Sequence, residues 1–302
     1  MLTIHLFYTI ANLFFLCDQK KVVSLQPIMD VKTLVYRLKA WMRFHLTAWN
    51  TGGEGVHSPY LFEWVRWIMS DKHGYYAWQN IEACRQTLLQ DERSVEFVDY
   101  GMGRHVAGGI STKVVKNIAK NSLASKKYAQ MLFRLVNWLG HELCSQTDRG
   151  LTIVELGTSL GITTAYLASA NKRNKILTFE GCKAVAEIAA ENWNRLNINN
   201  IECIVGEIDM EQLQQKIQQL DIAFIDANHT YASTRNYFNV LADKVHEKSV
   251  IVVDDIHHSE EMERAWKAIC ADERVTTTMD LYQMGLVFFD KHYWNRNYKM
   301  RL

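Results

Sequence analysis

One stretch, from Leu151 to Gly161, restricts most strongly what this chain can fold into. An apolar run typical of a β-strand ends there at Glu155, and a loop containing Gly157 follows it. A helix-like segment, Ile162–Ala170, comes next. A short apolar run that feeds a glycine loop and then a helix is the first half of a βαβ unit. Glycines let the backbone approach a ligand closely, and the start of the helix offers unpaired N–H groups beside them.

The spacing of the two glycines in this loop discriminates between ligands. A dinucleotide site has the pattern G-x-G-x-x-G, with the diphosphate at the helix N-terminus, whereas this loop has the pattern E-x-G-x-x-x-G. The carboxylate of Glu155 would repel a diphosphate but could hold an ammonium group, directly or through water. A ligand with an amino-acid end and a nucleoside end, such as S-adenosylmethionine, fits this pattern better than NAD does. The alternative at this point is an α/β protein whose two glycines serve only the turn.

The composition is that of an ordinary folded protein, with 302 residues, 48% apolar residues, 22% charged residues and a formal net charge of +1. This length suits one large domain or two modest ones. The small net charge indicates no general affinity for nucleic acid or for an anionic membrane. The six cysteines are scattered without a C-x-x-C pair, which argues against a disulfide framework or a zinc site and predicts a cytoplasmic protein.

The N-terminal region is predicted to be helical. Residues 1–28 begin with an apolar run that is shorter than the roughly 20 residues of a membrane-spanning helix. We expect Met29 to be the working initiator, with a packed helix or a membrane anchor as the alternatives for the preceding residues. Hydrophobic spacing predicts an amphipathic helix over residues 29–50. A second helix is predicted over residues 58–70, because Ser58-Pro59 is typical of an N-cap followed by the first helical position.

A second glycine motif, D-x-G-x-G at residues 99–103, follows another apolar run. A nucleotide-binding unit would require a second strand that ends in an acid soon after this motif. The sequence has no such strand close behind it, and we therefore interpret this motif as unrelated to the site. The stretch from Gly101 to Gly140 contains no Asp or Glu but has seven Lys and Arg residues. Residues 101–113 therefore form either a mobile lid over an anionic substrate or a solvated surface loop, and both interpretations stay open.

Strands alternate with helices from Leu151 onward. Five strands, each followed by a helix, are predicted at Leu151–Glu155, Lys175–Glu180, Ile201–Val205, Ile222–Asp226 and Ser249–Asp254. The last two strands, Val275–Leu281 and Gly285–Asp290, are joined too closely for a helix and are predicted to form a hairpin. The expected fold is α/β, with a doubly wound, mostly parallel seven-stranded sheet, a terminal antiparallel hairpin and a helical N-terminal region.

Acidic residues lie at the carboxyl ends of all five predicted parallel strands, where ligands bind in such sheets. They are Glu155, Glu180, Glu207, Asp226 and the pair Asp254-Asp255. Glu180 lies 23 residues beyond Gly157, the interval expected for a carboxylate that accepts both ribose hydroxyls of a nucleoside. Glu207 could accept the adenine amino group. The alternative for any single acid, and for Asp255 in particular, is a helix cap.

These motifs together resemble a known family. The segment Val154–Gly161, together with Thr178-Phe179-Glu180, resembles the class I S-adenosylmethionine-dependent methyltransferases. The segments Phe224–Tyr231 and Val252–Asp255 are similar to the catechol and caffeoyl-CoA O-methyltransferase group. The resemblance covers residues 126–290 and implies a Rossmann-like methyltransferase fold. Residues 126–302 are accordingly expected to form the cofactor domain, residues 29–125 a helical substrate or lid region, and residues 1–28 a mis-called start or N-terminal helix.

The resemblance also implies a set of cofactor-binding residues. Lys127–Gln130 corresponds to a segment that closes over the cofactor in the O-methyltransferase group. The residues expected to bind S-adenosylmethionine are Gln130, Glu155, Gly157, Thr158, Ser159, Gly161, Glu180, Gly181, Glu207 and Asp226.

A divalent cation is a further implication of the resemblance. The group places a metal on an Asp after the fourth strand and on an Asp-Asn pair after the fifth, and the matching residues here are Asp226, Asp254 and Asp255. Ligation by oxygen alone suits Mg²⁺, which would activate a bound hydroxyl. Asp226 and His229 are the expected catalytic residues, since His229 stands where relatives have Lys and a histidine can act as a base near neutral pH.

Two departures from the group bear on this metal site. Asp255 replaces the usual Asn, which would leave two crowded carboxylates when the metal is absent. Adjacent strand residues also face opposite ways, so Asp254 and Asp255 can bind one ion only if the chain turns off the sheet between them. A site without a metal therefore stays open as an alternative.

The function that these observations favour is methyl transfer from S-adenosylmethionine to a small-molecule acceptor, most readily to a hydroxyl oxygen. The alternatives are a methyltransferase for RNA or another phosphate-rich substrate, suggested by the acid-free basic stretch, and a non-catalytic regulator that binds the cofactor. The glycine spacing disfavours an NAD-dependent oxidoreductase. The expected partners are a small-molecule acceptor and a second copy of the chain in a homodimer, without nucleic acid and without stable insertion in a membrane.

Overall fold

The structure, a computed structural model, describes residues 31–48, 58–99, 109–145, 149–292 and 296–302. Its main sheet has eight strands in the order β10-β8-β9-β7-β6-β3-β4-β5. These strands are β3 (Thr152–Leu156), β4 (Lys175–Glu180), β5 (Ile201–Val205), β6 (Leu220–Ile225), β7 (Val245–Asp254), β8 (Thr277–Asp280), β9 (Met284–Phe288) and β10 (Arg296–Lys299). A separate two-stranded sheet pairs β1 (Ser94–Asp99) with β2 (Gly109–Val114) in antiparallel register.

Helices cover both faces of the main sheet. In chain order, the described helices are α1 (Val31–Thr47), α2 (Pro59–Trp64), α3 (Tyr76–Leu89), α4 (Val115–Ser122), α5 (Lys126–Cys144), α6 (Ile162–Ser169), α7 (Lys183–Arg195), α8 (Met210–Lys216), α9 (Tyr231–Ala242) and α10 (Glu260–Cys270). A π-helical turn, Val65–Met69, continues α2. The Rossmann-like α/β fold, the mostly parallel sheet and the helical N-terminal region are therefore confirmed.

The order of the strands creates a crevice at the centre of the sheet. The chain runs outward from β3 through β4 to β5, and then returns to place β6 on the other side of β3. All of these neighbours pair in parallel. In doubly wound sheets the ligand binds outside the carboxyl ends of the strands at such a reversal. The crevice here lies beyond the ends of β3 and β6.

Alternation of side chains along the central strands builds the two layers of the core. Ile153 on β3 packs in the cluster formed with α5, whereas its neighbour Val154 packs in the cluster formed with α9 and α10. Successive residues of a strand point to opposite faces. All six residues of β6 are buried, as expected for a parallel strand covered on both sides.

The predicted terminal hairpin is present, since β9 pairs antiparallel with both β7 and β8. The structure adds an eighth strand that we did not predict, because β10 lies parallel to β8 at the edge of the sheet. This strand has only four residues and is mostly polar, so its sequence has no hydrophobic alternation to identify it.

The N-terminal region agrees with the helical prediction where it is described. Helix α1 falls within the predicted residues 29–50, and the Ser58 hydroxyl caps α2 by accepting the Leu61 N–H at 3.4 Å. The apolar run before the D-x-G-x-G motif forms β1. Residues 1–28, the break at 51–56 and most of the D-x-G-x-G motif and of the suggested lid lie outside the described residues. The remainder of that lid, from residue 109, belongs to β2.

Two further observations concern the predicted environment of the protein. Among the described helices, none combines the length and the apolar character needed to cross a membrane. The described cysteines Cys84, Cys144, Cys182, Cys203 and Cys270 are free thiols.

Candidate active site

Backbone strain concentrates at the carboxyl edge of the main sheet. The described non-glycine residues with positive φ are Ser159, Asn197, Asn228, His229, Asp255 and Tyr282. All of these except Asn197 lie in the loops that follow β3, β6, β7 and β8. Side chains other than glycine resist this conformation, and such residues cluster at functional sites. The edge predicted from the acidic residues is therefore also the strained edge.

Gly157 allows the ends of β3 and β6 to come together. Its φ is +101°, and a Cβ added at this position would lie 2.1 Å from the carbonyl oxygen of Asp226. The Asp226 N–H donates to the Leu156 carbonyl at 2.8 Å, which continues the pairing of the two strands into the loop. A side chain at Gly157 would separate Asp226 from the β3 loop.

Gly161 has a different reason for being glycine. Its φ is +75°, and an added Cβ would lie 2.6 Å from Nε1 of Trp193 on α7. The same Nε1 donates to the Gly161 carbonyl at 2.9 Å. Helix packing explains this glycine without a ligand, and its role in cofactor binding stays a prediction.

Glu155 lies beneath the loop. Its side chain is fully buried, and its Oε2 accepts hydrogen bonds from the hydroxyls of Thr164 at 2.5 Å and Thr178 at 2.6 Å. The Thr158 hydroxyl lies 2.6 Å from that of Thr178 and is also buried. Burial raises the pKa of Glu155 to about 7.

The other oxygen of Glu155, Oε1, is buried without a hydrogen-bond partner among the described residues. Buried polar atoms are nearly always paired in folded proteins. A donor such as an ammonium group would satisfy this oxygen, so the residue fits the cofactor that we expect. Because the carboxylate is below the loop, contact with the ligand would have to be made through Oε1, directly or through water.

Glu180 is held at the end of β4 by two backbone donors. Its Oε2 accepts the Ser159 N–H at 2.7 Å, and its Oε1 accepts the Cys182 N–H at 2.9 Å. A carboxylate has about four lone-pair sites, so both oxygens keep capacity for the two hydroxyls of a ribose. Burial raises the pKa of Glu180, while the two backbone hydrogen bonds act in the opposite direction. Gly181 follows directly and is half-buried.

The loop after β3 is also connected to the N-terminal region. The Ser159 hydroxyl lies 2.7 Å from the hydroxyl of Ser122, the last residue of α4. Gln130 on α5 is half-buried and hydrogen-bonds to the Tyr166 hydroxyl, which donates to Glu82 at 2.8 Å. The structure thus directs Gln130 towards α3 and α6, and closure of its segment over a cofactor stays a prediction.

Glu207 lies near the loop that begins at Asp226. Glu207 follows β5 and is exposed. The burial of Tyr237 raises the pKa of that residue to about 12, and the charge of Glu207 adds to this increase. The Asn228 side-chain amide donates to the Tyr237 hydroxyl at 2.6 Å. Glu207 is therefore near the loop that follows β6, where Asp226 is half-buried.

A pair of histidines lies beyond Asp226. Nε2 of His229 is 3.5 Å from Oδ1 of Asp226, and the His229 N–H donates to the Ala227 carbonyl at 2.8 Å. The ring of His229 stacks on the ring of His258, with 6.0 Å between centroids and an interplanar angle of 26°. The two predicted catalytic residues, Asp226 and His229, are thus adjacent.

His258 and Arg37 are site residues that the sequence analysis missed. Arg37 on α1 donates from Nε to the His258 carbonyl at 3.1 Å, and its Nη2 lies 2.9 Å from each ring nitrogen of His258. Burial lowers the pKa of His258 to about 4, and the charge of Arg37 adds to this, while Asp255 opposes it. The position of His258 just after the Asp254-Asp255 pair was a usable indication, whereas nothing in the pattern of the helix singled out Arg37.

The predicted metal ligands are only partly brought together. Asp254 is buried and its Oδ1 accepts the Asp255 N–H at 2.9 Å, while Asp255 has a φ of +55° where the chain turns off the sheet. Among the described residues, the side chains whose possible metal-ligand atoms all lie within 4.8 Å of one another are instead Glu247, Asp290 and His292. Asp226, Asp254 and Asp255 do not form such a group, and their role as metal ligands stays a prediction. Ser259, rather than Asp255, caps α10.

A cavity of about 400 Å³ lies between α1, α10 and the outer strands β8 and β10, with His257 of the loop after β7 in its lining. Phe44, Trp266 and Tyr298 line it together with charged residues. The carboxylates that end β3, β4 and β6 do not line it, so this cavity is distinct from the crevice.

Comparisons with known proteins agree with this geometry. Residues 154–256 match a family model described as a methyltransferase domain. Over 77 residues the chain is 34% identical to a tRNA (guanine-N(7)-)-methyltransferase from Mycoplasma mobile, a stretch that covers 25% of this chain and 38% of that protein. The chain thus aligns with well under half the length of this curated relative.

Solved structures share the fold. A SAH-bound methyltransferase from Podospora anserina superposes with a TM-score of 0.52 at 11% identity, covering 78% of this chain and 97% of that one. An O-methyltransferase from Bacillus cereus in complex with SAH gives a TM-score of 0.49 at 18% identity, covering 76% and 97%. Residues 154–256 thus resemble a methyltransferase domain, and the chain shares its fold with a methyltransferase solved with SAH bound.

Proposed function

We propose that the protein transfers the methyl group of S-adenosylmethionine to a hydroxyl oxygen of a small-molecule acceptor. The observation that carries this proposal is the carboxylate of Glu180, fixed by the N–H groups of Ser159 and Cys182 beside the strained loop after β3. Two carboxylate oxygens held in this way suit a ribose diol and not a diphosphate. The match of residues 154–256 to a methyltransferase domain supports the same ligand.

Different residues of the crevice would contact different groups of the cofactor. Glu180 would hold the ribose, Oε1 of Glu155 would take the ammonium group directly or through water, and Glu207 would face the adenine amino group. The loop Gly157–Gly161 and Gly181 would supply the surrounding backbone, with Asp226 at the boundary to the acceptor. S-adenosylmethionine supplies an electrophilic methyl group when it is bound.

His229 would remove the proton of the acceptor hydroxyl. Its Nε2 faces Asp226, which favours the proton on that nitrogen and leaves Nδ1 as the acceptor. The carboxylate of Asp226 stabilises the imidazolium that forms when the hydroxyl proton moves to Nδ1. Mg²⁺ on Asp226, Asp254 and Asp255 would require these carboxylates to converge further.

Binding is tested by calorimetric titration of the full chain with S-adenosylhomocysteine and, separately, with NADH. The proposal predicts saturable heat with the first and none with the second. Radiolabelled S-adenosylmethionine then serves to screen catechols, phenols and aliphatic alcohols, with and without Mg²⁺. Heat with NADH alone would contradict the proposal, and binding of S-adenosylhomocysteine without transfer to any acceptor would favour a regulator.

An RNA substrate is a second candidate, supported by the identity of 34% to the tRNA methyltransferase. Exposed lysines on α4 and α5, Lys120, Lys126 and Lys127, offer cationic groups that phosphates could approach. Contacts to phosphates release counterions, so affinity for RNA falls steeply with salt. Fluorescence anisotropy with total tRNA at low and high salt distinguishes this candidate, since a small-molecule enzyme would show no specific binding.

The division of the chain and its assembly also belong to this proposal. We assign residues 29–125 to the acceptor side and 126–302 to the cofactor domain, because α1 reaches His258 beside the predicted acceptor site. A cytoplasmic homodimer is the expected state, and light scattering of the purified chain measures its mass directly.

A further inference from the structure

Helix α1 crosses the sheet's carboxyl edge and is anchored there at two points by two arginines. Arg43 forms an ion pair with Glu263 of α10 at 2.7 Å, and Tyr36 donates to the same carboxylate at 2.5 Å. Arg37 instead reaches the loop after β7 and contacts His258. The two arginines therefore hold the same helix, but only the Arg37 anchor is made to a residue of the candidate site.

The contact between Arg37 and His258 fixes both the backbone and the ring of the histidine. Nε of Arg37 binds the carbonyl oxygen, while Nη2 lies at the ring nitrogens, so one rigid guanidinium group holds two parts of His258. A guanidinium group has only donors, so its ring partner must present a lone pair. Together with Oδ2 of Asp255, which lies 3.5 Å from Nδ1 of the same ring, this contact restricts the orientation of His258.

The ring of His258 lies against the ring of His229. His229 has a φ of +40°, a conformation that persists only where surrounding contacts enforce it. Its side chain is 23% exposed and is contacted by Asp226 at one nitrogen and by the stacked ring of His258 on one face. Removing the support behind His258 would therefore leave His229 constrained on one side only.

We propose that Arg37 is a positioning residue for His229, acting through the ring of His258. The inference rests on the proposed role of His229 as the base that removes the acceptor proton. A segment outside the matched methyltransferase domain then determines the direction of the base, and α1 forms part of the acceptor side of the site. Arg37 itself touches neither of the reacting groups in this account.

The experiment compares Arg37→Ala with Arg43→Ala in the full chain. Both variants remove one anchor of α1, and only the first removes the contact to His258. The readout is the Cε1–Hε1 resonance of each histidine ring in two-dimensional NMR, assigned with His229→Gln and His258→Gln. Calorimetry with S-adenosylhomocysteine on the same samples reports the cofactor site independently.

Arg37→Ala is expected to shift the signals of both His258 and His229, because ring stacking moves ring protons from their free positions. Arg43→Ala is expected to leave the His229 signal in place, and both variants are expected to bind S-adenosylhomocysteine like the wild type. An unchanged His229 signal in Arg37→Ala would overturn the inference. Equal shifts of the His229 signal in the two variants would also overturn it, because they would show that α1 only packs over the site.

A second variant keeps the inference testable if Arg37→Ala does not fold. Arg37→Gln retains a donor and most of the side-chain length but cannot bind the carbonyl and the ring together. A smaller shift of the His229 signal is therefore expected in this variant. The absence of any shift would overturn the inference. Failure of the wild type to bind S-adenosylhomocysteine would contradict the proposed function instead, whatever the histidine signals show.

Discussion

The two halves of the carboxyl edge are built in different ways. At the ends of β3 and β4, Glu155 is bound by Thr164 nine residues away, and Glu180 by Ser159, 21 residues away. At the ends of β6 and β7, His258 is bound by Arg37, which lies 221 positions earlier in the chain. The cofactor half is therefore encoded locally, whereas the acceptor half is completed by a distant helix.

The largest expected effect falls on the acceptor half. His229→Gln removes the proposed base, and loss of general base catalysis typically lowers the rate by about 10²–10⁴-fold. With an acceptor that supports turnover, kcat should fall by about that factor while the affinity for S-adenosylhomocysteine stays unchanged. His141→Gln, an exposed histidine on α5, is the matched control. A loss of cofactor affinity equal to the loss of kcat would remove the distinction between the halves.

Gly157→Ala tests the contact that joins the two halves. The added Cβ would lie 2.1 Å from the Asp226 carbonyl oxygen at a φ of +101°, so we expect a loss of about 4 kcal/mol in the free energy of unfolding. Urea unfolding followed by circular dichroism measures it. Gly74→Ala is the control, because an added Cβ there has no atom within 4 Å. Equal stability of the two variants would show that the ends of β3 and β6 do not approach as described.

The pH dependence of stability tests the burial of Glu155 in the cofactor half. Its pKa in the folded protein is raised to about 7 from an ordinary value of 4.5, so the folded state binds more protons than the unfolded state between these values. Stability from this group is present below about pH 4.5 and is lost as the pH rises to about 7, by roughly 3 kcal/mol in total.

Glu155→Gln should flatten this part of the profile, because an amide does not titrate. The measurement is the free energy of unfolding of the wild type and the variant from pH 5 to pH 8, with the exposed Glu187→Gln on α7 as control. A wild-type curve parallel to that of Glu155→Gln would mean that the carboxyl group is not buried as described.

Glu180→Gln should weaken binding at the cofactor half. The amide group places a donor against the N–H of Ser159 or Cys182 and cannot accept both hydroxyls of a diol, which is expected to cost about 2 kcal/mol, or roughly 30-fold in Kd for S-adenosylhomocysteine. Glu202→Gln on β5 removes an exposed ion pair with Lys216 and should leave Kd unchanged. Calorimetry compares the two, and an unaltered Kd in Glu180→Gln would place the ribose elsewhere.

The smallest expected effect concerns the attachment of α1. Burial alone would raise the pKa of Glu263, but hydrogen bonds from Lys267 and Tyr36 hold this pKa at about 2. Tyr36→Phe removes one of these donors and should lower the free energy of unfolding by about 1 kcal/mol, without altering the affinity for S-adenosylhomocysteine. Tyr76→Phe, at a fully exposed tyrosine, is the control. A change in cofactor affinity would show that α1 also serves the cofactor half.

The same contrast explains what could be predicted from the sequence. The strands β4 and β5 were predicted to the residue, and Glu155, Glu180 and Asp226 were placed at one edge, because hydrophobic runs and the acids that end them are local signals. The pairing of β10 with β8 could not be predicted from four mostly polar residues. Local patterns also cannot show that the Gly161 conformation accommodates Trp193 or that Glu155 lies below the loop.

Long-range contacts account for the rest of the candidate site. Arg37 lies on the polar side of an amphipathic helix, where an arginine is ordinarily solvated, and only the docking of α1 brings it to His258. The strained φ values of His229 and Asp255 are likewise imposed by surrounding structure and not by their residue types. The convergence of Asp226, Asp254 and Asp255 on a metal is implied by the family resemblance and stays a prediction, because side-chain direction decides it.

We propose that the crevice at the carboxyl ends of β3, β4 and β6 binds the nucleoside of S-adenosylmethionine. Hydrogen–deuterium exchange of the full chain with and without S-adenosylhomocysteine tests it most directly. We expect new protection in residues 156–161, 180–182 and 226–229, with exchange around the cavity between α1 and α10 unchanged. Protection confined to that cavity, or no protection at any loop of the crevice, would contradict it.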